Sequence, residues 1–122
     1  MNYDSILVHR KLDSVSLAIA ECSQVDMPEV IKLLESYGFY TKRALFYFNR
    51  LHVPHNYRQQ GIGSDMLREM LELVVRYDVT LINEVNGSEV DYDTLIKFYE
   101  KHEFIHVAHN LYVFNALKMN LH

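Results

Sequence analysis

The chain has one cysteine, no tryptophan, two prolines and four glycines in 122 residues. A lone thiol, Cys22, excludes an internal disulfide and fits a reducing compartment. Proline and glycine are too few for a low-complexity linker, and no segment repeats. One domain over residues 1–122 is therefore expected. No apolar run approaches the roughly 20 residues that cross a bilayer. No basic stretch followed by an apolar one opens the chain, so no secretory leader is expected. The expected location is the cytoplasm, with no membrane partner. Twelve Lys and Arg against sixteen Asp and Glu give a net charge of −4. Without a basic stripe, nucleic acid is not an expected partner.

What is present is a core: 49% hydrophobic and 12% aromatic residues, ample for a packed globule. Residues 5–10 and 15–21 read as strands joined by a hairpin loop at 11–14. Asp26 is the expected cap of a helix with Pro28 in its first turn and Gly38 after its end. Residues 44–53 are aromatic and β-branched, a strand stopped by Pro54. Residues 63–77 repeat Met66, Leu67, Met70, Leu71 and Val74 at helical spacing. Residues 79–85 read as a buried parallel strand. Asn86, Gly87 and Ser88 begin a loop. Asp93 is the expected cap of a helix running to His102. Residues 104–108 and 111–117 read as a closing hairpin that turns at Asn110. The fold class is α/β (α+β), with about three helices.

Between the strand at 44–53 and the helix at 63–77 lies Arg58-Gln59-Gln60-Gly61-Ile62-Gly63-Ser64. A strand, a glycine turn and a helix N-terminus assemble an anion site. First-turn amides lack intrahelical partners, and the dipole adds partial positive charge. Two phosphate loops are disfavoured here. A Walker A loop needs a Gly-Lys-Ser/Thr ending that is absent, and Met66 stands where a Rossmann fingerprint needs its third glycine.

The remaining pattern, R/Q-x-x-G-x-G/A, resembles the acyl-CoA pyrophosphate loop of the Gcn5-related N-acetyltransferase (GNAT) family. Leu95-Ile-Lys-Phe98-Tyr99-Glu-Lys-His-Glu103-Phe104 resembles that family's later helix. Glu103 replaces a usual glycine there, so an altered helix exit is expected. The resemblance covers residues 44–117, and the short N-terminal region is similar to compact phage-encoded members. It implies a central mixed, mostly antiparallel twisted sheet in which parallel strands 4 and 5 of the family splay apart at a bulge. It implies acetyl-CoA as co-substrate, a primary amine on a protein or small molecule as acceptor, and no metal. It also leaves a homodimer open.

The cofactor-binding residues it implies are Leu51, His52, Val53, Arg58, Gln59, Gln60, Gly61, Ile62, Gly63, Ser64, Phe98 and Tyr99. Tyr99 is then the expected general acid for the leaving thiolate; the plain alternative is a helix residue packed on the sheet. The base stays open among His52, His55 and Glu84 acting through water, or the amine arrives neutral. Asn49 stands where many members carry a glutamate, and an amide takes no proton at neutral pH. That substitution supports a rival reading, a non-catalytic CoA-binding or protein-interaction module. His102, His106 and His109 resemble a metal cluster only superficially, because no cysteine or paired carboxylate completes it.

Overall fold

The computed structural model describes residues 4–39, 44–85 and 91–115. Its elements are β1 (Ser5–Lys11), β2 (Leu17–Gln24), α1 (Pro28–Ser36), β3 (Leu45–His52), a short 3-10 turn (His55–Tyr57), α2 (Ile62–Tyr77), β4 (Thr80–Glu84), α3 (Tyr92–Lys101), β5 (Ile105–Ala108) and β6 (Leu111–Asn115). The order of strands and helices is the one the sequence implies. Six strands form one sheet in the order β1-β2-β3-β4-β6-β5. Only β3 and β4 run parallel; the other neighbours are antiparallel. These two are the strands expected to splay.

Alternation along the strands sorts the core into two layers. Ala18, Ala20, Cys22, Phe46, Phe48, Leu81 and Val85 join Met66, Leu67, Met70 and Val74 of α2, with Tyr99 of α3. Leu45, Ile82, Val107, Leu111 and Val113 meet Leu34 of α1 on the opposite layer. Helix α2 fits against the sheet because its apolar residues recur every three or four positions.

Several local expectations need correction. Strand β2 runs three residues beyond 21 because both of its edges are paired: Ser23 stands opposite Ser5 and Tyr47, and Gln24 opposite Phe46. Helix α1 is capped by Met27, not Asp26, and by no side chain. The Met27 carbonyl instead accepts from the amides of Val30 and Ile31 at 3.0 and 3.1 Å. Helix α3 is capped by Asp91, not Asp93: Asp91 Oδ2 accepts from the Thr94 amide at 3.2 Å, and Asp93 sits in the first turn.

The exit of α3 is not altered by Glu103. That residue adopts the left-handed conformation itself, at φ 71°. The amide of Glu103 donates to Glu100 and that of Phe104 to Tyr99, the paired bonds of a Schellman ending. Gly38 and Asp78 hold the same conformation after α1 and α2. The expected loop at 86–88 and the last two residues of the closing hairpin lie outside the described residues.

Candidate functional site

The site begins with a failure of pairing. Strands β3 and β4 pair at only three positions, Leu45 with Thr80, Phe46 with Leu81 and Tyr47 with Ile82. Beyond them the two strands part. The cause lies on the other edge of β3. Glu21 of β2 stands opposite Arg50, but the next residue, Cys22, stands opposite Phe48. Asn49 is the extra residue, a bulge that bends its strand. It also reverses the alternation. Phe48 buries in the α2 layer before the bulge, and Leu51 and Val53 pack against that same layer after it. The Asn49 side chain is held in place, its Oδ1 accepting from the Ser23 hydroxyl at 2.8 Å.

On the α2 side the parted strands leave a cleft of about 390 Å³. Leu51, His52, Val53, Arg58, Gln59, Gly61, Ile62, Gly63, Ser64 and Phe98 line it, as do Tyr57, Thr94 and Leu95. Gln60 is not part of the wall; its side-chain amide reaches the Asn56 carbonyl at 3.5 Å. Gln59 and Gly61 are both left-handed, at φ 63° and 82°, which folds the loop into a tight turn. Gly61 caps α2 without a side-chain hydrogen bond. Ile62, Gly63 and Ser64 of the first turn of α2 line the cleft, and no capping side-chain oxygen screens the positive end of the helix dipole there.

Arg58 is partly committed to the fold, since its Nε donates to the Val53 carbonyl at 2.9 Å. Tyr57 ties the same loop to the β1–β2 hairpin through a short hydrogen bond from its hydroxyl to Asp13 Oδ2. That bond, with the amides of Val15 and Ser16 at 2.8 Å on Oδ1, holds the Asp13 carboxyl down at about 2.

A second cleft of about 200 Å³ opens where the strands separate, lined by Tyr47, Asn49, Arg50, Asn83, Glu84 and Tyr99 among others. Leu51 and Leu95 line both clefts. Tyr99 belongs to this second cleft, while its neighbour Phe98 lines the first. Tyr99 is 9% exposed. Burial raises its phenol above the ordinary value, and Asn83 opposes that rise. The phenol is therefore fully protonated at neutral pH. Glu84 is exposed at the end of β4, and its Oε1 accepts from the Tyr47 hydroxyl at 2.9 Å across the gap. Burial first, then Glu84, raises the Tyr47 phenol.

Of the groups considered as a base, Glu84 lines the second cleft; His52 lines the first cleft and His55 neither. The Cys22 thiol is fully buried and pushed up to about 12, chiefly by burial, so it is no nucleophile. Among the described residues no group of three or more His, Cys, Asp or Glu could hold a metal. His102 was not expected at the site. Its Nε2 lies 2.9 Å from the Ser64 hydroxyl in the first turn of α2, and its ring meets Phe98 edge-on at 4.9 Å. Burial, then Lys101 and Arg68, lower its pKa. The signal in the sequence was its position four residues after Phe98, one turn along the same face.

A family model described as an acetyltransferase (GNAT) domain matches residues 16–106. The chain belongs to the GNAT acetyltransferase family. Solved structures share the GNAT fold at low identity. The anti-CRISPR protein AcrVA5 superposes at TM-score 0.59 with 13% identity, over 93% of this chain and all of its own. Arabidopsis thaliana NAA60 in complex with acetyl-CoA gives 0.57 and 16%, over 88% of this chain and 75% of its own. AtaT complexed with acetyl-methionyl-tRNAfMet gives 0.57 and 15%, over 87% and 65%. No curated protein matches by sequence.

Proposed function

We propose that the chain transfers acetyl from acetyl-CoA directly to a primary amine. The observation that carries this reading is the meeting of two clefts at the β3–β4 split, one beside a helix N-terminus and the other beside Tyr99 and Glu84. In the first cleft the amides of Ile62, Gly63 and Ser64 receive the pyrophosphate. The pantetheine chain runs past Leu51 and Val53 along the freed edge of β3, where a backbone amide polarises the thioester carbonyl. The acceptor amine enters the second cleft.

The amine nitrogen bonds to the carbonyl carbon, and the carbon–sulfur bond breaks with its electron pair going to sulfur. Tyr99 donates its phenolic proton to that sulfur. Glu84, directly or through a water, takes the proton that the nitrogen loses, and solvent returns a proton to Tyr99. Transfer is direct because Cys22, the one thiol in the chain, is buried and protonated. A cytoplasmic location, where acetyl-CoA is made and Cys22 stays reduced, completes the reading.

The acceptor is open between a protein amine and a small molecule. One structural neighbour, AtaT, is complexed with acetyl-methionyl-tRNAfMet, so an amine carried on RNA belongs in the same screen despite the chain's acidic balance. The test is thiol release from acetyl-CoA, read colorimetrically, against peptides, polyamines and aminoacyl-tRNA. Turnover with one class identifies the acceptor. A thermal shift with acetyl-CoA and no turnover across the panel favours the binding module, the reading that Asn49 supports by standing where many members carry an acid. No shift with either acetyl-CoA or CoA rejects both.

A further inference from the structure

We infer that Asn83 is a positioning residue for Tyr99: its Nδ2, unpaired at hydrogen-bond distance in this structure, closes on the phenolic oxygen and aims the phenol's own hydrogen at the departing thiolate. The inference rests on the acetyl-transfer reading above and names a residue that reading does not use. Asn83 is only 5% exposed. Its Nδ2 is the one buried side-chain polar atom among the described residues that has no hydrogen-bond partner. An unpaired buried donor is costly, and its presence calls for a reason.

The surroundings supply one. Along β4, Leu81 and Val85 bury in the layer shared with α2 and α3, and Asn83 lies between them on the same alternation. Tyr99 packs in that layer and lines the same small cleft as Asn83. Two other side-chain oxygens of the cleft walls already have donors. Glu84 takes the Tyr47 hydroxyl, and Asn49 Oδ1 takes that of Ser23. Tyr99 and Tyr112, which stands opposite Asn83 on β6, both carry phenolic oxygens in this layer. Tyr99 is the one of the two that lines the cleft with Asn83, and Asn83 lowers the Tyr99 phenol as a donor to its oxygen would.

The chemistry follows from burial. As the phenol's proton passes to sulfur, the oxygen it leaves becomes an anion in an apolar setting formed by Phe48, Phe98 and Phe104, whose ring centroids lie 6.0, 5.3 and 5.4 Å from that of Tyr99. A fixed N–H donor stabilises that anion more than it stabilises the phenol. Because the donor occupies one lone-pair direction of the oxygen, it also limits where the O–H can point.

Asn83→Leu keeps the size and removes the donor, and Asn83→Asp keeps the shape and substitutes an acceptor. Carbon-13 NMR titration of the Tyr99 ring carbon, assigned with Tyr99→Phe, reads the contact without any turnover. Both variants should raise the midpoint, by on the order of half a pH unit or more; an unchanged or lowered midpoint overturns the inference. Turnover gives the second arm. Asn83→Leu should lower kcat on the order of tenfold with KM for acetyl-CoA unchanged. In a Tyr99→Phe background it should remove nothing further. Equal losses in both backgrounds would make Asn83 a general support of the sheet and overturn the inference. If Asn83→Leu does not fold, Asn83→Asp carries both arms. If the wild-type chain releases no thiol with any amine, the acetyl-transfer reading fails, and the titration alone judges the Asn83–Tyr99 contact.

Discussion

A side chain at Gly63 should separate the fold from its cleft. Gly63 lies in the first turn of α2, where a Cβ would stand 3.6 Å from Val53 Cγ2 and 3.7 Å from Leu51 Cδ2. Both are ordinary contact distances, so the fold has room for a methyl group. Gly63→Ala removes glycine's backbone entropy within a helix and should stabilise the free chain by about 0.5–1 kcal/mol, roughly 2–4 °C for a domain of this size. The same methyl narrows the cleft wall that Gly63 shares with Leu51 and Val53, where the cofactor's backbone approach is needed. Gly63→Val adds two more carbons in that space.

The assay is thermal melting with and without acetyl-CoA at 100 times the wild-type dissociation constant. Saturation at that level stabilises wild type by about 2.7 kcal/mol, and a tenfold weaker site leaves about 1.4. The ligand increment should shrink for Gly63→Ala and vanish for Gly63→Val while the free chain melts no lower than a few degrees below wild type. Gly61→Ala is the control with the opposite pattern. Its φ of 82° strains any L side chain, yet nothing lies within 4 Å of the added carbon. It should cost the free chain about 1–2 kcal/mol, where Gly63→Ala gains. A full increment in Gly63→Val would refute the placing of the cofactor.

Tyr99→Phe should leave acetyl-CoA binding intact and lower turnover by about 10²–10⁴-fold; unchanged turnover with an identified acceptor removes Tyr99 from the mechanism. Because burial raises the Tyr99 phenol, the protonated form persists to higher pH than in a free phenol. The turnover it supports should be present below about pH 10 and lost only as pH rises through the elevated value, a limb that Tyr99→Phe should abolish. Glu103→Gly relieves a left-handed glutamate at φ 71° and should raise stability by about 0.5–1 kcal/mol after the added unfolded-chain entropy, measured by urea denaturation; a loss would show that the Glu103 side chain contributes something the backbone does not. For Asp13, whose carboxyl is held at about 2 from an ordinary 3.8, the tether to Tyr57 is present above the ordinary value and lost as pH falls toward 2. Tyr57→Phe removes the largest cause, and the NMR midpoint of the Asp13 carboxyl should climb toward 3.8; a midpoint that stays near 2 assigns the effect to the Val15 and Ser16 amides.

The sequence carries those parts of the molecule whose signal is local. The α2 stripe of Met66, Leu67, Met70 and Val74 and the two glycines before it are short-range patterns, and they lie where the spacing puts them. Helix caps were less legible. Asp26 and Asp93 have the right side chains, but Met27 and Asp91 hold the capping position, because where a helix starts depends on where the preceding chain delivers it. Left-handed exits at Asp78 and Glu103 were invisible for a related reason. Glu103 does not advertise φ > 0 and Asp78 does so only weakly, so the packing of Val79 and Phe104, both buried, is what fixes the turns.

The bulge at Asn49 is the strongest case, because the site depends on it and no residue type announces it. A register slip is a relation between two strands, set when Cys22 pairs with Phe48 instead of Asn49. Without the slip, strict alternation would turn Leu51 and Val53 to the layer opposite Phe48 and carry the packing beside Gly63 away from α2. The slip also puts Asn49 at the mouth of the second cleft with its oxygen spent on Ser23. An amide in that place keeps the strand bent and takes no proton. On the proposed reading Glu84, reaching the same cleft from β4, is the carboxylate that takes the proton, and the Tyr47 hydroxyl that holds it comes from the last residue at which β3 and β4 still pair.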